Sequence, residues 1–338
     1  MLVRQATRLR EDQMTEGFIN TNGVRLHYVE EGKGPLVLLC HGWPESAYSW
    51  RHQVGALAGA GYRVVAPDQR GYGASDAPDA IDAYDIAQLT GDLVGLVTAL
   101  GEERAVIIGH DWGSAVAAHA ALLRPDMFHA LGLLSVPYVA RHAVRPAKRF
   151  ERATRDREFY QAYFQQPDRA EAELEEDVRR SLLGILYSAG GDRVRERPGD
   201  TRSFAFFPKG ERLVDNLIVP ETPPPWLSAH DLDVYAAQFR ASGFRGPLNW
   251  YRNLDRNWAI TPFLQGAKIG QPTIYIAGTA DGVPLMLAED VIAMDSRIPD
   301  LRGKHMLEGI GHWTQQEAPE EVNRLLLEFL AGLERIGG

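Results

Sequence analysis

Five apolar runs of strand length, at residues 36–41, 63–67, 105–110, 130–135 and 273–278, set the terms on which this chain can fold. A strand with one wet face alternates apolar and polar residues. A continuous run is buried on both faces, as happens when parallel strands are covered by helices. The stretches between the runs carry the helical period. Residues 84–100 place apolar side chains at 86, 89, 93, 96, 97 and 100 and stop at Gly101, and residues 113–123 and 320–333 read in the same way. Asn22-Gly23, between strand-like pieces at 17–20 and 24–30, predicts an antiparallel hairpin at the start of the sheet. The pattern is that of an α/β doubly wound sheet.

One connection does not fit that rhythm. More than 130 residues without a good strand separate the runs at 130–135 and 273–278, far beyond an ordinary crossover. They predict an inserted helical unit at 138–262, edged by Val136-Pro137 and Thr261-Pro262, with helical stripes at about 157–165, 169–187 and 231–242. The sheet domain then comprises 1–137 and 263–338. The insert opens on a basic run at 141–157, with seven Lys and Arg against Glu151 and Asp156, followed by an acidic helix at 171–177. These read as two solvated faces that compensate one another, with a partner-docking patch as the alternative.

Charge and cysteine content narrow the function classes. A formal charge of −9 repels phosphate backbones and anionic bilayers, so nucleic acid and membrane are not expected partners. Cys40, the only cysteine, ends an apolar run and reads as a buried, inert thiol in a reducing compartment. The first ten residues lack the apolar core of a signal peptide, and no stretch reaches the length of a membrane span, so a cytoplasmic protein is expected. The first 15 or so residues read as an arm outside the fold.

Gly109-His110-Asp111-Trp112-Gly113 falls where a strand ends and a helix begins. Small residues two places either side of a nucleophile let a strained turn lift it above a sheet. Here the nucleophile is Asp111 where Ser is usual. A serine attacking an sp³ carbon would leave an ether that cannot be turned over, whereas a carboxylate leaves an ester that water can cleave. Asp111 therefore points to an alkyl electrophile carrying a leaving group.

The remaining parts follow in the order nucleophile, acid, histidine. Asp281 stands in Ala277-Gly278-Thr279-Ala280-Asp281-Gly282, after the run at 273–278, and His312 in Gly309-Ile310-Gly311-His312-Trp313, after a short strand-like piece at 304–307. His312 would activate water and Asp281 would fix its tautomer. A rival acid after the run at 130–135 is excluded, since Val136-Pro137-Tyr138-Val139 holds no carboxylate. Cleaving the ester develops an oxyanion on Asp111, which needs donors worth about 3–4 kcal/mol each. The backbone N–H groups of Trp43, in His41-Gly42-Trp43-Pro44, and of Trp112 are the candidates, with a cis Trp43-Pro44 bond expected to shape the turn. His41 and His110 read as hydrogen-bonding supports, Trp112 as pocket wall and Trp50 as core.

With these motifs in place, the sequence resembles the soluble epoxide hydrolases of the α/β-hydrolase fold over about residues 17–333. The resemblance runs through His41-Gly42-Trp43-Pro44-Glu45-Ser46, Asp68-Gln69-Arg70-Gly71-Tyr72-Gly73, the segment 109–113 and Gly311-His312-Trp313-Thr314-Gln315. It implies a mostly parallel eight-stranded sheet and an all-helical cap. Two cap segments are the most specific, Phe159-Tyr160-Gln161-Ala162-Tyr163-Phe164-Gln165 and Ser242-Gly243-Phe244-Arg245-Gly246-Pro247-Leu248-Asn249-Trp250-Tyr251-Arg252-Asn253. The ring-opening acids the resemblance implies are Tyr160 and Tyr251, with Tyr163 as the alternative for the first. The larger vertebrate members carry a preceding phosphatase domain that has no match here, so no phosphatase activity is expected.

An epoxide expels an alkoxide, a far worse leaving group than halide, so two phenols opposite the nucleophile make chemical sense. The expected substrate is a small-molecule epoxide, with water as co-substrate and contacts from Trp43, Trp112, Tyr160 and Tyr251. No cofactor or metal is expected, because the ten histidines show no ligand spacing and no Gly-rich phosphate loop is present. Apolar cap surface leaves a homodimer open. Two other readings stand beside this one: a haloalkane or haloacetate dehalogenase using the same Asp, and a non-catalytic ligand-binding receptor on the same scaffold. Trp112, where haloacetate-type members carry Arg, and Trp43, where haloalkane-type members carry Asn, disfavour the first, and the complete set Asp111, Asp281 and His312 disfavours the second.

Overall fold

The alternation of side chains along a strand shows why the apolar runs are continuous. In the computed structural model, which describes residues 14–200 and 204–334, Leu36, Leu38 and Cys40 enter one buried cluster while Val37 and Leu39 enter another on the opposite face of the sheet. Ala105 and Ile107 divide from Val106 and Ile108 in the same way, as do Tyr275 and Ala277 from Ile274 and Ile276. Each strand thus buries both faces, at about 1.5–3 kcal/mol for each large apolar side chain. Five-residue strands suffice at that density.

The strands are β1 (Thr15–Thr21), β2 (Val24–Glu31), β3 (Leu36–Cys40), β4 (Arg63–Pro67), β5 (Ala105–His110), β6 (Phe128–Leu134), β7 (Arg157–Phe159), β8 (Phe206–Pro208), β9 (Thr273–Gly278) and β10 (Leu301–Leu307). Eight of them form one sheet in the order β1-β2-β4-β3-β5-β6-β9-β10. β2 runs antiparallel to both β1 and β4, turning at Asn22-Gly23 with Asn22 at φ 45° and Gly23 at φ 76°, and every other pairing is parallel. The predicted hairpin and all five predicted runs are present. The last strand is longer than the 304–307 piece, pairing from Leu301 onward with β9.

Helix starts follow local capping chemistry. The helix expected at 84–100 runs over Ile86–Ala99, because the Asp85 carboxylate accepts from the Ala87 and Gln88 N–H groups and fixes its first turn. The helices Trp112–Leu123 and Pro319–Glu334 match their predictions closely. The arm expected over the first 15 or so residues falls largely on 1–13, outside the described residues.

β6 and β9 are neighbours in the sheet although the whole insert separates them in sequence. The insert is mainly helical, but it is not all-helical as expected. β7 and β8 pair as a short antiparallel ribbon, so the stripe at 157–165 divides into β7 and the helix Tyr160–Tyr163. The stripe at 169–187 likewise divides into Arg169–Glu176 and Val178–Ala189, where Asp177 accepts from the Arg180 N–H and caps a fresh helix. The third stripe is the helix Ala229–Ser242, begun by a reciprocal Ser228–Asp231 capping box.

The basic run and the acidic helix do not compensate one another. Glu171 is buried against Arg252, and Glu176 pairs with Arg212, while Lys148 pairs with Glu151 and Arg145 with Asp255. Only Lys148–Glu151 joins helical neighbours three residues apart; the other three pairs reach residues far away in sequence. Among the described residues no helix is long and apolar enough to cross a membrane.

Candidate active site

The sheet leaves one sharp turn at the carboxyl end of β5, and that turn carries Asp111. Its backbone stands at φ 51°, ψ −118°, a conformation a non-glycine residue adopts only when its surroundings enforce it. The enforcement is close packing. A Cβ on Gly109 would meet the Gly113 carbonyl, and one on Gly113 would meet the carbonyls of Cys40 and His41. Only glycine at both places allows β5, the helix Trp112–Leu123 and the end of β3 to approach this closely.

That approach brings two backbone donors to the carboxylate. The Trp43 N–H donates to Asp111 Oδ1 at 2.9 Å, and the Trp112 N–H also favours the ionised carboxylate. The Trp43-Pro44 bond is cis, as expected. Beneath it, Glu45 Oε2 accepts from the Gly42 N–H at 3.1 Å and meets His110 Nδ1 at 2.7 Å, while Gln315 and Gln316 donate to Oε1. His110 Nε2 reaches the His312 carbonyl at 2.8 Å, and His41 bonds the Gly42 carbonyl and the Gln69 N–H. Both histidines therefore hold loops together.

His312 lies between the two carboxylates. Its Nε2 stands 3.7 Å from Asp111 Oδ2, and its Nδ1 stands 3.2 and 3.3 Å from the two oxygens of Asp281. Burial alone would push the imidazole down, but the charge and hydrogen bond of Asp281 and the charges of Asp111 and Glu45 outweigh it and raise it to about 9. Asp281 is driven the other way. Burial opposes its ionisation, yet His312, the Ser135 hydroxyl and the Val283 N–H together hold it below the usual carboxylate range. For Asp111 burial prevails and its carboxyl is raised, with His312, His110 and the two N–H donors only partly offsetting it.

The loop that carries His312 is tied to the insert. The His312 N–H donates to the Ala189 carbonyl at 3.0 Å, and Glu317 Oε2 accepts from both Gly191 and Gly311 N–H groups at 3.0 and 2.9 Å. Glu317 Oε1 takes the Trp313 N–H at 3.1 Å.

Above Asp111 opens a cavity of about 530 Å³, bordered by Asp111, Trp112, Tyr160, Gln161 and Tyr251 among others. Tyr160 begins a single-turn helix after β7, and Tyr251 lies in the helix Arg245–Arg252. Their ring centroids are 5.8 Å apart, and Phe164 packs edge-on against both. The Tyr251 ring also meets Trp43 and Trp112 edge-on at 5.9 and 5.2 Å. Burial and then the neighbouring negative groups, Asp111 among them, push both phenols well above their ordinary range. They remain neutral donors at any working pH. Tyr163 is spent elsewhere, its hydroxyl donating to Glu173.

The structure thus brings Asp111, His312, Asp281, Trp43, Trp112, Tyr160 and Tyr251 together. Trp50 is core and Trp112 is cavity wall, as expected. Sequence reasoning missed Ser135, whose hydroxyl touches Asp281 and His312, and Gln161, which donates to the Tyr160 hydroxyl at 2.9 Å. The segment after β6 holds no carboxylate, and the Ser135 hydroxyl stands in no local pattern that marks it. Two cations of the basic run, Arg141 and Arg149, border the cavity, a position no charge count could give. Among the described residues no group of three or more His, Cys, Asp or Glu side chains is placed to hold a metal ion.

The chain resembles known proteins over nearly its whole length. The sequence pattern described as alpha/beta hydrolase fold matches residues 35–319. Epoxide hydrolase A of Mycobacterium tuberculosis is 48% identical over 326 residues, covering 95% of this chain and 98% of that protein. The solved structure of an epoxide hydrolase from an endophytic Streptomyces superposes with a TM-score of 0.92 at 49% identity, covering 96% of this chain and 97% of that one. For epoxide hydrolase A from Mycobacterium thermoresistibile the TM-score is 0.88 at 46% identity, with 94% and 98% covered.

Proposed function

The chain belongs to the epoxide hydrolases of the α/β-hydrolase fold, and we propose that it converts an epoxide and water to a vicinal diol through an ester on Asp111. In the first step an Asp111 carboxylate oxygen attacks a ring carbon. The carbon–oxygen bond of the ring breaks, and the departing oxygen takes a proton from Tyr160 or Tyr251 while the other phenol donates a hydrogen bond. General-acid help of this kind contributes about 10²–10⁴ in rate.

In the second step His312 Nε2 takes a proton from water, and the resulting hydroxide attacks the carbonyl carbon of the Asp111 ester. The oxyanion forms where the Trp43 and Trp112 N–H groups converge. Collapse breaks the ester, releases the diol and restores the carboxylate, and the imidazolium returns its proton to the tyrosinate. The first step helps the second. Alkylation neutralises Asp111, one of the charges that raises His312, so the imidazole loses its proton more readily once the ester exists.

In this reading residues 138–262 act as a cap domain over a hydrolase core formed by 1–137 and 263–338. The largely apolar lining of the cavity disfavours water around the ester, and small-molecule epoxide and water are the only partners the chemistry requires. The observation that carries the proposal is the pair of buried, neutral phenols bordering the same cavity as the Asp111 carboxylate. A halide would leave without a proton and would give Tyr160 and Tyr251 no task.

The test is intact-mass spectrometry of His312→Gln after incubation with an aryl epoxide that the parent turns over. An adduct of the epoxide's mass, absent from Asp111→Ala, is expected. An unmodified His312→Gln protein would overturn the two-step scheme.

A further inference from the structure

Ser135 ends the run that becomes β6, and its side chain is fully buried. Its backbone is at φ 64°, unusual for any residue but Gly, Asn or Asp. The conformation is held from three sides. The Ser135 N–H donates to the Ile276 carbonyl at 2.9 Å, the Tyr275 hydroxyl donates to the Ser135 carbonyl at 2.7 Å, and the Val136 N–H reaches back to Leu134. The turn delivers Oγ into the space between Asp281 and His312. Oγ lies 2.6 Å from Asp281 Oδ2 and 2.8 Å from His312 Nδ1.

Hydrogen-bond capacity fixes the direction of both contacts. An ionised Asp281 can only accept, so the single Ser135 proton points at Oδ2, and the Oγ lone pair is left for the His312 Nδ1–H. Asp281 itself is farther from Nδ1, at 3.2 and 3.3 Å, and its Oδ1 also accepts from the Val283 N–H at 2.9 Å. The nearest acceptor for the imidazole proton is the serine. We propose that Ser135 is a positioning residue for the ester-cleaving step, its hydroxyl joining Asp281 to His312 so that Nδ1 keeps its proton and Nε2 is aimed at water.

This inference rests on the two-step reading above, in which His312 acts only after the ester has formed. A positioning role therefore splits the two half-reactions, whereas a purely structural role would lower both. Position 135 needs one donor for Asp281 and one acceptor for His312. Asparagine supplies both on one side chain and tolerates positive φ, while glycine and alanine supply neither.

The experiment is rapid-quench single turnover on the full chain with the aryl epoxide, measuring ester formation and ester decay separately in the parent, Ser135→Gly, Ser135→Ala and Ser135→Asn. Glycine relieves the positive φ that alanine retains, so hydroxyl loss can be read even where the alanine protein folds poorly. We expect ester decay to slow about tenfold in the glycine and alanine variants, the size of one lost hydrogen bond to a charged network, with ester formation within twofold of the parent. Ester should then accumulate in the steady state, and Ser135→Asn should recover most of the loss. Decay within twofold of the parent in Ser135→Gly, an equal fall in both steps, or an asparagine variant as slow as glycine would overturn the inference. Failure of the parent reading is separately visible, because His312→Gln would then form no ester at all.

Discussion

Asp111 and Tyr251 border the same cavity, yet they are held there by opposite means. Asp111 belongs to the sheet. It sits on a constrained turn, receives two backbone N–H groups, and faces an imidazole whose other nitrogen meets a hydroxyl and a second carboxylate. Tyr251 belongs to the insert, where aromatic edges from Trp43, Trp112, Tyr160 and Phe164 surround its ring. The floor offers donors that partly offset the burial of a carboxylate, and the roof offers an apolar setting that keeps its phenols neutral. Backbone dipoles at strand ends stabilise an anion at fixed geometry, and apolar burial keeps a phenol protonated. The proposed ring opening, in which a carboxylate attacks while the departing oxygen is protonated, needs both settings around one cavity.

The comparison breaks most visibly at Asp111. Asp111→Ala should abolish turnover, by about 10⁵-fold or more on the precedent of nucleophile removal, without loss of the folded state, as read by diol production and circular dichroism. Removing both roof donors in Tyr160→Phe/Tyr251→Phe should cost about 10²–10⁴. The loss should fall on ester formation in single-turnover measurements and leave ester decay nearly untouched. Each single Phe variant should lose less, since the other phenol remains.

Phe164→Ala attacks the roof through its packing. Phe164 is fully buried against Trp43, Tyr160 and Tyr251, and its truncation should lower unfolding free energy by about 3–5 kcal/mol. Denaturant titration would check this, with ester formation again falling more than decay. The smallest effect concerns the floor's charge. His312 is raised in the folded state, to about 9, so its contribution to stability is complete below the unfolded value of roughly 6.5 and is lost as pH rises through about 9. The Tm advantage of the parent over His312→Gln should therefore be greatest near pH 6 and shrink by pH 9.5. A gap that widened with pH would show that the imidazolium is not favoured by folding.

The floor was legible in the sequence and the roof much less so. Asp111 and Asp281 follow apolar runs, the first inside the Gly109–Gly113 turn, and His312 follows a shorter strand-like piece, so motif, periodicity and chain order placed all three at the carboxyl ends of strands. Tyr160 and Tyr251 are two of the chain's 12 tyrosines, no local pattern sets them apart from packing residues, and only resemblance to a family singled them out. Ser135 escaped because its partners are 146 and 177 residues away. No local pattern marks a serine whose importance comes entirely from what the fold brings beside it. The same holds for β7 and β8, each three residues long, which pair only because the insert folds back on itself.

The backbone tie between His312 and Ala189, and the Glu317 carboxylate that gathers Gly191 and Gly311, bear on how such enzymes can be altered. They make the insert a poor candidate for modular exchange. A chimaera cut at Pro137 and Thr261 would replace the carbonyl and the amide that hold the histidine loop, and a change intended for selectivity would also re-aim the His312 nitrogen proposed to activate water. Grafts that keep residues 189–191 with the recipient would separate the two effects, so that what the chain can admit could be engineered without disturbing what it can release.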